Sequence, residues 1–126
     1  MREELYERTR WYLEQGDSHV AGLIWFQGFN DQFEEDARAS YLQNLETLVS
    51  DFRAAYGATV PVVIIQARKV YDLATIADAQ SAFVDATPDT ALVESDGMTE
   101  CFHYDAVSQL VIGHRSGVAM AELLGE

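Results

Sequence analysis

The sequence of 126 residues predicts an α/β fold: a parallel three-stranded sheet flanked by helices, within a single domain spanning residues 1–126. Two observations carry that prediction. Short apolar runs alternate with longer amphipathic stretches, an order that calls for crossover connections and a parallel sheet. Each run is apolar at every position rather than at every second one, which marks strands covered on both faces.

Arg2 to Gln15 is charged and moderately amphipathic, with Leu5, Tyr6, Trp11, Tyr12 and Leu13, and predicts a helix that Gly16-Asp17-Ser18 punctuates. Val20 to Phe26 is the first apolar run and the first predicted strand. After a polar loop, Gln27 to Glu35, the acids Glu34, Glu35 and Asp36 suit a helix start, where negative charge offsets the dipole. Tyr41, Leu42, Leu45, Leu48, Val49 and Phe52 then share one helical face, and Gly57 ends that helix. Val60 to Ile65 is the second strand, with Pro61 tolerated near its start. A loop from Gln66 to Tyr71 leads to a helix from about Leu73 to Val84, and Pro88 breaks the chain before a third strand, Ala91-Leu92-Val93. Asp105 caps a last helix whose apolar positions run from Val107 to Leu124. Three strands make a small sheet for this class, which usually has about five or six.

Composition narrows the functions. With 8 Lys+Arg against 21 Asp+Glu the formal net charge is −13, a balance that repels nucleic-acid phosphates and anionic membrane surfaces. No apolar run is long enough to span a bilayer, and the charged N-terminus carries no signal peptide. The chain as it stands is expected to be soluble and cytoplasmic. Its single cysteine, Cys101, excludes an internal disulfide and a cysteine-based zinc cage. His19, His103 and His114 include no close pair on one face, so neither a metal nor a cofactor is expected.

In open α/β sheets chemistry collects at the carboxyl ends of strands, and two loops there hold useful residues. The first is Trp25-Phe26-Gln27-Gly28-Phe29-Asn30-Asp31-Gln32. Gly28 lets the backbone approach a ligand closely, and Asn30 offers a side-chain NH2. Such donors stabilise the oxyanion that develops in acyl transfer; the same pair equally suits a plain strand-to-helix turn. The second loop runs from Glu94 to Tyr104. An acid three residues before a histidine can orient the imidazole and stabilise its protonated form. Glu100 holds that place before His103, with Asp96 as a second candidate, although a histidine in a hydrophilic loop needs no such role. Gln66, Arg68 and Lys69 follow the second strand and are expected to face the cleft, where Arg68 suits a substrate carboxylate or a surface salt bridge. Trp25 and Phe26 are expected to fill the core in preference to stacking on a sugar.

Taken together and in this order, the two loops resemble the SGNH (GDSL-like) hydrolases. Gly28-Phe29-Asn30-Asp31 matches their Gly-x-Asn-Asp block. The preceding Trp25-Phe26-Gln27 is similar to the version in sialate O-acetylesterase-like and acetylxylan-esterase-like carbohydrate esterases. The run from His103 to Arg115 resembles that family's last block and the helix after it. The likeness covers about Val20 to Leu124 and implies a partial flavodoxin-like SGNH fold, with Gly28 and Asn30 in the oxyanion hole, His103 as general base and an acid to steady it. The family usually has Asp where this chain has Glu100. Gln27 and Arg68 are then expected to touch an acetylated carbohydrate.

The resemblance leaves the nucleophile unassigned. The family's serine follows its first strand in a Gly-Asp-Ser or Gly-Gln-Ser block. Gly16-Asp17-Ser18 has the letters but precedes the strand Val20 to Phe26, which puts Ser18 about 20 Å from that strand's carboxyl end at ~3.3 Å per residue. Ser40, Ser50, Ser81, Ser108 and Ser116 fall on predicted helices, and Ser95 lacks a glycine-flanked turn. The expectation is therefore the C-terminal half of an esterase, whether a natural truncate, a gene fragment or an excised segment. Its apolar edge strand would invite self-association into a homodimer or larger assembly, by strand pairing or exchange of the N-terminal helix. Three functions remain open: an esterase domain that receives its serine from another segment or chain, a non-catalytic binding domain derived from one, and a small complete esterase using Ser18.

Overall fold

The computed structural model describes residues 2–68, 75–95, 97–98 and 104–126. Its elements run α1 (Arg2–Glu14), β1 (Leu23–Trp25), a 3-10 turn (Asn30–Phe33), α2 (Glu35–Tyr56), β2 (Val62–Ile65), α3 (Thr75–Ala86), β3 (Thr90–Val93) and α4 (Ala106–Leu124). The strands form one parallel sheet in the order β1-β2-β3, so the α/β expectation holds and all three carboxyl ends lie on one rim.

The sheet's pleat divides the core in two. Leu23, Val62 and Ile64 point to the face covered by α2 and α3, where they pack with Tyr41, Leu45, Leu48, Val49, Phe52, Ile76 and Phe83. The α2 residues among these recur at helical spacing, which turns one stripe of a 22-residue helix to the sheet. On the same side α1 docks through Tyr6, whose ring stacks on Tyr56 at 5.9 Å and meets Phe52 at 6.3 Å. On the opposite face Val63, Ile65 and Val93 pack against Ile112 of α4.

That second layer is narrower than the sheet. α4 lies over β2 and β3, reaching β1 only at its start. There a Cβ on Gly22 would come within 2.6 Å of the Met120 thioether, so the glycine is what lets the helix sit down. Ile24, on the α4 face of β1, is consequently 48% exposed and Phe26 51%. This corrects the expectation of a strand covered on both faces: β1 is three residues long, lies at the sheet's edge and is half open. It also corrects Phe26, which is not a core residue, whereas Trp25 packs partly against the core.

Two devices hold the ends of the sheet. Arg53 donates to Val60 O at 3.1 Å, Pro88 O at 2.8 Å and Asp89 O at 3.0 Å, tying α2 to the amino ends of β2 and β3. At the carboxyl rim, the Asp105 carboxylate accepts from Ser108 N at 2.7 Å and caps α4 as expected.

Candidate functional site

The loops leaving β1 and β2 and the first half of α4 enclose a cleft of about 540 Å³. Phe26, Gln27, Phe29 and Asn30 line it from β1, Ile65, Ala67 and Arg68 from β2, and Tyr104, Gln109, Ile112 and Gly113 from α4. The Phe26 ring stacks on Tyr104 at 5.9 Å across this cleft. Four of the residues anticipated from sequence therefore meet here or beside it: Gln27, Asn30 and Arg68 in the lining, with Gly28 in the turn between. His103, Glu100, Asp96 and Lys69 lie outside the described residues. Tyr104, which follows His103 in the chain, lines the cleft.

Gly28 is fixed by two independent requirements. Its φ of +126° is open to glycine and strained for other residues. A Cβ there would also lie 2.8 Å from Ile76 Cγ2 and 3.0 Å from the Tyr41 hydroxyl. The buried turn then delivers Asn30 to an exposed position at the cleft, at the start of the 3-10 turn. Its side-chain amide makes no hydrogen bond among the described residues, so its NH2 is available to a ligand oxygen. Gln27 is less available, because its Nε2 donates to Asp31 Oδ2 at 2.8 Å. Gln32, fully buried below the turn, donates to Phe29 O at 3.2 Å and braces the loop from inside.

The residue that sequence reasoning missed is Gln80. Its side chain is 0% exposed and bonds in three directions. Nε2 donates to Gln27 O at 3.0 Å and to the Tyr41 hydroxyl at 2.9 Å, while Oε1 accepts from Ala67 N at 2.6 Å. The Tyr41 hydroxyl in turn donates to Gln27 O at 2.9 Å. One amide on α3 thus clamps together the chain just after β1 and the chain just after β2. Burial pushes the Tyr41 phenol above the usual tyrosine range, an effect reinforced by the charge of Asp31 and partly offset by hydrogen bonds with Gln80 and Trp25. A glutamine in mid-helix carries no motif. The available signal was an uncharged polar residue on the apolar stripe of Ile76, Ala77 and Phe83.

Gln66 does not face the cleft as expected. It is buried, and its Nε2 donates to Ser81 Oγ at 3.0 Å and Ala77 O at 3.4 Å, turned into α3. Among the described residues no cluster of His, Cys, Asp and Glu could hold a metal ion, and no helix is long and apolar enough to cross a membrane.

A parallel sheet whose polar loops gather over an apolar cleft at the carboxyl rim is an open α/β domain with its ligand crevice where such folds place it. Comparison with known families makes this specific. A family model described as carbohydrate esterase, sialic acid-specific acetylesterase, matches residues 2–122. The chain belongs to that family and is a carbohydrate acetylesterase-like domain. Searches of curated proteins and of solved structures returned no match.

Proposed function

We propose that the cleft is the oxyanion-binding side of a carbohydrate O-acetylesterase site. When a nucleophile adds to an acetyl ester, the carbonyl oxygen becomes an oxyanion, and donors already aimed at it lower the barrier without reorganising. In this reading Asn30 supplies its NH2, Gly28 lets the backbone approach, and Gln27 and Arg68 contact the sugar. His103 is the general base, and Glu100 steadies the imidazolium that forms. The observation that carries the reading is the exposed Asn30 amide, without a hydrogen-bond partner among the described residues, at the rim of a cleft shared with Tyr104, the residue next to His103.

The nucleophile is the open half of the reaction. The described cleft lining contains no serine, threonine or cysteine, and this favours a second reading, a domain that binds acetylated sugar without cleaving it. Hydrolysis of p-nitrophenyl acetate, paired with binding of an O-acetylated sialic acid followed by NMR, separates the two. If the cleft is catalytic, Asn30→Ala lowers kcat/KM by about 10²–10³-fold, the usual loss for an oxyanion donor, and His103→Ala abolishes turnover. Binding that weakens in Asn30→Ala, with no turnover by the unaltered chain, establishes the binding domain. Neither turnover nor binding would end both readings.

A further inference from the structure

β1 gives only one of its two hydrogen-bonding sides to the sheet. The Leu23 N–H donates to Pro61 O at 2.9 Å, and the register runs Leu23↔Val62, Ile24↔Val63, Trp25↔Ile64. In a parallel ladder alternate residues turn both backbone groups to the same neighbour. Leu23 and Trp25 therefore serve β2, and Ile24 directs its N–H and C=O off the sheet. Among the described residues no strand lies on that side.

Exposed strand edges are normally guarded by charge or proline. This one has neither: residues 19–30 contain no Asp, Glu, Lys, Arg or Pro. Residues 106–121, on the helix of the same face, contain none of the chain's 21 acids. On a molecule with a formal net charge of −13, two copies can approach here without setting carboxylate against carboxylate. The exposed Ile24 and Phe26 side chains add apolar area to the same edge.

We propose that β1 pairs with β1 of a second copy about a two-fold axis through Ile24, joining two three-stranded sheets into one. A two-fold axis perpendicular to the sheet makes the paired strands antiparallel. Ile24 is the outward-bonding residue of Leu23–Trp25, so it faces its own copy, and residues equally far before and after it stand opposite each other. Gly22 then meets the partner's Phe26. Within one chain Ser18 precedes β1, at the wrong end of the strand for the cleft. The antiparallel partner reverses that direction, so its segment ahead of β1, which carries Ser18, leaves toward the end of the strand that bears the cleft. The pairing stands on the strand edge and does not depend on the esterase reading.

Sedimentation velocity of the full chain at micromolar concentration tests the pairing, with a dimer of 14.1 kDa subunits expected. Ile24→Pro removes an N–H that no strand hydrogen bond to β2 uses, and should give a monomer with an unchanged far-UV spectrum. Ile24→Lys, which keeps the backbone and charges the edge, should do the same and guards against misfolding of the proline variant. Register is read by cross-linking in a Cys101→Ser background. Under mild oxidation Ile24→Cys should link to itself. A monomeric unaltered chain overturns the pairing, as does a dimer that survives both Ile24 substitutions. Ile24→Cys chains that dimerise without linking overturn the register.

Discussion

Gln80 and Tyr41 place polar atoms where the chain can least spare them, because a buried donor or acceptor without a partner loses its water and gains nothing. Replacing Gln80 with Leu strands Ala67 N and removes one donor from Gln27 O. The expected cost is about 1–3 kcal/mol of stability, read from urea unfolding, with the larger disturbance at Gln27–Asn30 and Ala67 visible in amide hydrogen exchange. Tyr41 adds a pH signature. Burial raises its pKa above the usual tyrosine range, so the neutral phenol contributes fully below that range, and the contribution is lost as alkali rises through the folded value. Ultraviolet titration should therefore show one tyrosine ionising late, coincident with alkaline unfolding, and Tyr41→Phe should remove that phase. At this scale Gly28 and Asn30 were legible because their chemistry is local: a glycine for a positive φ, an amide at a strand end. Gln80 was not, because its role depends on two loops that only the folded sheet brings within reach of one side chain.

Among the elements, α4 shows how capping can hold a rim in place. Asp105 starts the helix directly after Tyr104, and its hydrogen bonds with Ser108 hold its carboxyl below the usual carboxylate range. A lowered carboxylate pKa contributes stability above the unfolded pKa and loses it as pH falls through the folded pKa. Asp105→Ala should accordingly lower Tm at neutral pH and shrink the gap to the unaltered chain under acid, measured by circular dichroism at pH 7 and pH 3. Asp105 was readable from sequence, as were the α2 stripe and the Gly57 stop, because caps and periodicity act over a single turn. β1 was misread for the opposite reason. Val20 to Phe26 is apolar throughout, yet whether a face is covered depends on how far α4 extends across the sheet. α4 covers β2 and β3 and stops short of Ile24.

For the whole molecule, charge governs how copies meet. At low salt the field of a chain at −13 extends over about 30 Å at 0.01 M, and it contracts to about 8 Å at 0.15 M. If the acid-free edge is the meeting surface, added salt should strengthen association by screening the distant carboxylates while leaving the apolar contact intact. Sedimentation equilibrium across that range should show the dimer tightening, whereas an interface built on ion pairs would weaken. The parallel order of three strands was legible at this scale from the alternation of elements alone.

The parallel register also gives the molecule two unlike poles. Everything with chemical interest gathers where the strands finish, and the opposite pole is occupied by Arg53 and the turns it pins, with Ala58 and Thr59 exposed just ahead of β2. A fluorophore, affinity handle or surface tether attached at Ala58 or Thr59 would sit a full strand length from the cleft. It could report on what enters the cleft without standing in the way.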